Sequence, residues 1–272
     1  ADDRVDVPQP VDVDRTAPAA GKMEVDTNQV TPVMFVDENL RLASLLGGTP
    51  LAQAKLVYEG DVKSVSAYAY RLRSSGGDID LVREHKTIWT SDWYQLVEGN
   101  LKHLELPLSA TINGAFQGRL IISLKEDWTR TDITYPQGAV LIADTTALNK
   151  GGKGQIDVLI EPDDNTIVQS VNTTDSTILV TVLENVRGKI YRYSPGPEGS
   201  FDRSLIKFPD NGSLKITSTD DASGNFFARY ESFTSPPALY HVASADWQPR
   251  KVKSQAPSFD GSRYQTEQYF AT

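Results

Sequence analysis

The chain has 272 residues, room for one large domain or two small ones, with 39% hydrophobic and 23% charged residues, the balance of a globular protein. A formal net charge of −9 counts against a nucleic-acid partner, whose phosphates call for a basic footprint, and no apolar run approaches the length of a membrane span. With no cysteine, disulfides, thiol nucleophiles and thiolate metal sites are excluded.

The N-terminus, Ala1-Asp2-Asp3-Arg4, shows no apolar signal-peptide region, and composition leaves the compartment open between cytoplasm and periplasm. Over residues 1–30, Val5, Val7, Val11 and Val13 alternate with Asp or Pro, which reads as an extended acidic arm. From there to residue 272 the signal is β, in short apolar or alternating runs separated by Gly, Asp, Asn and Pro. Val33–Val36, Leu40–Ala43 and Lys55–Tyr58 read as an incomplete group of strands, and Pro50–Ala54 as one helical turn at most.

The following runs fall into fours. The second run of each group begins at Ile79, Leu120, Ile178 and Phe226, at separations of 41, 58 and 48 residues. Four strands per ~40–50 residues is the period of a propeller blade rather than of a sandwich. The second runs (Ile79–Val82, Leu120–Leu124, Ile178–Leu183, Phe226–Tyr230) are apolar enough for strands covered on both faces. The fourth runs carry Lys102, Glu105, Arg203, Arg250 and Lys251, as outer edge strands do. The expected fold is an all-β propeller of four to five four-stranded blades, its ring incomplete or open.

Little points to chemistry. No Gly-x-Ser-x-Gly elbow exists, and His85, His103 and His241 have no metal-ligand spacing. Lys150–Gly154 lacks the Lys-Ser/Thr ending of a phosphate loop, and Asp163-Asp164-Asn165 and Asp220-Asp221 lack calcium-loop spacing, so they read as turns. No cofactor or metal is expected. Trp89 and Trp93, four apart in a strand-rich segment, are expected to share a face, in blade packing or as a stacking platform.

Tyr230-Glu231-Ser232-Phe233-Thr234-Ser235-Pro236-Pro237-Ala238-Leu239-Tyr240, with Phe259-Asp260 and Tyr264–Thr272, resembles the end of the propeller of the prolyl oligopeptidase family of serine peptidases. Leu124–Thr129 with Tyr135–Gly138, and Gln169–Val171 with Val182–Gly188, resemble other propeller hairpins of that family, and Gly48–Lys55 an earlier strand-turn. The resemblance covers about residues 47–272 and implies a partial propeller over 31–272 that ends at the junction to a missing α/β-hydrolase domain. The family's propeller has seven blades, and its Ser/Asp/His triad lies in the hydrolase domain, so this chain should be inactive alone.

The function the resemblance implies is gating the access of short proline-containing peptides to the hydrolase site; the alternative is a stand-alone protein- or peptide-binding module. The implied partners are the hydrolase domain, short peptides, and other copies through unpaired blade edges; nucleic acid and membrane are not expected. The loops between first and second runs, and Trp128 and Arg130 after a second run, are assigned to substrate lining. Trp128 would be an aromatic wall, and Arg130 a cationic handle for a peptide carboxylate.

Overall fold

The computed structural model describes residues 33–36, 55–59, 66–267 and 269. The expected arm over 1–30, the run at 40–43 and the turn at 50–54 lie outside them. Strands β1 (Val33–Val36) and β2 (Lys55–Glu59) pair antiparallel as a two-stranded sheet.

Four antiparallel four-stranded sheets follow, each from consecutive chain. Blade I holds β3 (Ser66–Leu72), β4 (Ile79–His85), β5 (Ser91–Val97) and β6 (Asn100–Leu104). Blade II begins with β7 (Thr111–Phe116) and β8 (Arg119–Ser123) and, after an inserted hairpin of β9 (Trp128–Arg130) and β10 (Ile133–Tyr135), adds β11 (Val140–Ala143) and β12 (Ile156–Ile160). Blade III holds β13 (Thr166–Thr173), β14 (Ile178–Glu184), β15 (Arg187–Pro195) and β16 (Phe201–Ile206). Blade IV holds β17 (Gly212–Thr219), β18 (Phe226–Ser232), β19 (Ala238–Val242) and β20 (Pro249–Ser254). This is an all-β propeller architecture whose sheets do not close into a ring. The charged fourth runs lie at the sheet edges, as expected.

The apolar second runs of blades II and III are explained by burial on both faces, as expected. In β8, Leu120 and Ile122 join a cluster with Leu81, Trp93 and Leu104 of blade I, while Ile121 faces a second cluster with Ile178, Val180 and Val182 of blade III. In β14 those three residues face blade II, whereas Leu179 packs with Leu214, Phe226 and Ala228 of blade IV. The core is therefore three sandwiched layers, one per interface between blades. Strand β18 differs. Phe226, Ala228 and Tyr230 are buried, but Phe227 and Arg229 are exposed, so blade IV is covered on one face only.

Every blade has the same two ends. At the crossover end the second strand turns into the third and the chain passes to the next blade. At the hairpin end the first strand turns into the second and the third into the fourth. The hairpin ends of the first strands interlock. Gly118 N–H donates to Ser74 Oγ (2.9 Å), Ser75 Oγ to the Asp175 carbonyl (3.1 Å), and Asp175 N–H to the Asp221 carbonyl (3.0 Å), linking all four blades. Gly76 lies so close to the second blade that a Cβ would come 2.2 Å from the Gln117 carbonyl carbon. Arg119 braces this end of blade II, donating to Asp157 (2.7 Å) and the Ile142 carbonyl (3.1 Å) and pairing with Asp144.

Trp89 and Trp93 do not share a face. The Lys86 N–H bonds to the Thr90 carbonyl, closing a turn that ends before β5 starts at Ser91; Trp93 is buried and Trp89 stands out of the turn.

Replacing Ile121 or Ile122 by Ala should each cost about 2–5 kcal/mol, since each leaves a cavity in a different interface. Gly76→Ala should also destabilise, because backbone has to move to admit a methyl group. Denaturant unfolding measures all three.

Candidate docking face at the crossover end

The crossover end carries an exposed apolar side chain at each of its four second-to-third connections: Trp89, Ile133, Val186 and Phe233, of which Trp89, Val186 and Phe233 are 81%, 80% and 86% exposed. Among the described residues, no turn at the hairpin end exposes a large hydrophobic side chain. Of the four, Val186 and Phe233 border one cleft, which makes this end a candidate interaction surface.

Between blades III and IV this end holds a cleft of ≈ 620 Å³, lined by Leu183, Val186, Phe233, Pro236, Pro237 and Phe259 among others. Its walls are tight turns. Ser232 Oγ accepts from the Thr234 and Ser235 N–H groups, which fixes the Phe233 turn. The β14–β15 turn is two residues long, with Asn185 at φ 49° and Val186 at φ 65°. Such a turn favours Asn-Gly, and a β-branched residue in the left-handed region is strained. The strained residue points its side chain into solvent.

Glu184 anchors that turn. It accepts hydrogen bonds from Lys189 and from the Tyr191 hydroxyl (2.7 Å), and these hold its carboxyl below the usual carboxylate range. Burial, together with the bond to Glu184, pushes the Tyr191 phenol up.

Trp128 and Arg130 sit on the inserted hairpin of blade II. Trp128 is buried in the cluster between blades I and II, its ring 5.5 Å from that of Tyr135, and borders a shallow hollow with His103, Glu105 and Asp127. The Arg130 guanidinium lies 5.9 Å from the Trp128 ring centre and donates to Glu105 (3.3 Å) and the Asn149 carbonyl (2.7 Å). Ring and cation do come together, with the cation paired to a carboxylate of the protein.

The three histidines lie apart. His103 bonds Asp92 (3.1 Å), His85 meets the Tyr68 ring edge-on and His241 packs on Phe227. Among the described residues no group of three or more His, Asp or Glu could hold a metal ion. Sequence reasoning missed the turn tips. Their signal was present, since Trp89, Val186 and Phe233 are large apolar residues inside turn segments.

The family model of the prolyl oligopeptidase N-terminal β-propeller domain matches residues 36–255. The chain belongs to this family. An uncharacterized peptidase of Sinorhizobium fredii is 28% identical over 233 residues, 83% of this chain and 32% of the relative. An uncharacterized peptidase of Rickettsia prowazekii is 22% identical over 91% of this chain and 36% of the relative. Among solved structures, a post-proline cleaving enzyme from Rickettsia typhi superposes with a TM-score of 0.70 at 21% identity, covering 82% of this chain and 33% of that one. Oligopeptidase B from Trypanosoma brucei gives 0.57 at 17% identity, covering 79% and 31%. This propeller chain thus spans about a third of its relatives.

Two outcomes follow from the β14–β15 turn. Val186→Gly should stabilise the propeller by ~1 kcal/mol, read from its denaturation midpoint, because glycine relieves the left-handed strain. For Glu184→Gln, the stability lost relative to wild type should be complete above pH 4.5, the ordinary pKa of the group. It should shrink as the pH falls through the lower folded-state value, because protonation then removes the same charge from the wild type. Urea unfolding across an acid series measures it.

Proposed function

We propose that this chain is the non-catalytic lid of a prolyl oligopeptidase-type serine peptidase, docking by its crossover end on a hydrolase domain and admitting short, proline-containing peptides. The observation that carries this reading is the one-sidedness of the molecule: each of its four blades exposes an apolar side chain at the crossover end, and the hairpin end is polar and interlocked. An apolar face of this kind is costly in water and is stabilised when a second surface covers it. Family membership supports the choice of partner, and relatives whose length exceeds this chain's about threefold have room for it.

Gating is then steric. A propeller seated on a catalytic surface leaves gaps that an extended peptide passes and a folded protein does not. The catalytic triad is supplied by the partner domain. Trp128 and Arg130 enter this reading as lining groups of the blade II hairpin, where a peptide carboxylate has to displace Glu105 from Arg130. A stand-alone module that binds peptide in the cleft between Val186 and Phe233 is the second reading, favoured by the ≈ 620 Å³ volume of that cleft.

The test uses a polypeptide that carries this propeller with its hydrolase domain. Phe233→Ser together with Trp89→Ser should loosen the lid, so that cleavage of a large unfolded protein rises relative to a short Gly-Pro peptide. Substitution of the exposed hairpin-end residue Lys150 is the control. An unchanged ratio, with no change in domain association by sedimentation, would overturn the docking reading. Binding of peptide by the propeller alone, without any effect on association, would favour the stand-alone module.

A further inference from the structure

The axial side of blade I carries an aromatic surface that docking at the crossover end does not use. Tyr68 and Tyr70 project from the same face of β3, with ring centres 6.5 Å apart. Their cross-strand partners, Arg83 and Leu81, show that this face looks toward blade II. Farther from the axis the same face is sealed, for Leu81, Trp93 and Leu104 are buried against Leu120 and Ile122. At the axis blade II does not cover it, and Tyr68 and Tyr70 remain 52% and 37% exposed.

The rings are nevertheless fixed. Tyr68 meets His85 edge-on at 5.6 Å and Tyr70 lies 6.1 Å from Trp93, which is itself capped by the Arg83 guanidinium at 5.1 Å. Among the described residues neither phenol hydroxyl has a hydrogen-bond partner, so each has a donor to offer. The other first strands differ. β7, β13 and β17 expose no aromatic ring; their sequences are TINGAF, TIVQSVNT and GSLKITST, and Phe116 is buried.

Exposed, pre-positioned rings with free hydroxyls suit one ligand chemistry well. A proline ring is rigid and puts C–H groups beside the amide nitrogen, where they can lie on an electron-rich tyrosine face. A proline-containing segment also adopts an extended helix with unpaired carbonyls, which accept from phenol hydroxyls at low entropic cost. Because the hairpin end is tied together through Ser74, Ser75, Asp175 and Asp221, a peptide reaches these rings from the crossover end.

We propose that Tyr68 and Tyr70 form a binding platform for the proline rings of short peptides on the axial side of blade I. This rests on the reading of the chain as one that handles short proline-containing peptides, and it does not require the turn tips to dock on a hydrolase domain.

The experiment titrates the chain with an octapeptide of alternating glycine and proline and, separately, one of alternating glycine and alanine, by calorimetry and by NMR of the tyrosine rings. The proline peptide should bind more tightly than the alanine peptide and shift the ring signals of Tyr68 and Tyr70. Tyr68→Ala and Tyr70→Ala should each weaken binding about tenfold, the scale of one lost ring contact, whereas Tyr68→Phe and Tyr70→Phe should each weaken it less, losing the hydroxyl's bond and keeping the ring contact. The wild-type NMR shifts decide the matter even if an Ala variant fails to fold. Proline-peptide binding that shifts Phe233 and leaves Tyr68 and Tyr70 unmoved would overturn the platform while leaving the peptide reading intact. Equal affinity for both peptides, or none for either, would overturn the platform and count against proline-peptide handling as well, and the association of the lid with its hydrolase domain would still be tested by Phe233 and Trp89.

Discussion

The structure depends on one constraint: the central strands of blades II and III have to bury both of their faces, one against each neighbouring blade. A single four-stranded sheet cannot do this alone. In β8, Leu120 and Ile122 face one way and Ile121 the other, and β14 repeats the arrangement with Val180 and Leu179. Blades II and III are therefore each half of two cores, whereas blade IV is buried on one face only. Stability is expected to be collective, with interface terms linking neighbours as in other repeat architectures. The hydrogen-bonded hairpin ends add a polar tie across the same interfaces, and Gly76 and Gly118 permit that approach because neither places a Cβ between the backbones.

That constraint explains what the sequence reveals. Burial on both faces removes the polar alternation of a half-exposed strand, so the second runs at Leu120–Ile122 and Ile178–Leu183, the latter broken only by Thr181, stand out as apolar stretches, and their spacing exposes the blade period. The strand quartets were legible for the same reason. Phe226–Tyr230, expected from its apolar content to be covered on both faces, is covered on one only, and its alternation of exposed Phe227 and Arg229 with buried neighbours is the signal that was passed over. The turn tips were not recognised, because an apolar residue in a turn is ambiguous in sequence: Trp89 and Trp93 look alike until the strand boundary at Ser91 separates them. The hydrogen bonds between blades were invisible, since Ser75 and Asp175 are 100 positions apart and have no pattern that pairs them.

Trp128 and Arg130 show the limit of residue-type reasoning. An aromatic ring beside a cation suggests a ligand site, and the two are indeed neighbours. The same chemistry serves folding equally well. Trp128 closes the layer between blades I and II, and Arg130 ties the inserted hairpin to Glu105 of blade I and Asn149 of blade II. A side chain's type does not say whether its partner is in the protein or in solution, and only the geometry around it does.

The two ends of the blades resolve the same physical conflict in opposite ways. At the hairpin end, the Gln117-Gly118 turn has glycine at its second left-handed position, where that residue is favoured, and the turns bond to one another. At the crossover end, Asn185-Val186 places a β-branched residue where glycine is favoured and leaves its side chain in water, a double cost in strain and in exposed apolar surface. A fold selected for stability alone has no use for that arrangement. It becomes favourable once a second surface covers the valine, because burial then offsets both costs. The strain and the exposure coincide at one residue, and on the proposed docking that coincidence links the local backbone geometry to recognition at this end of the propeller.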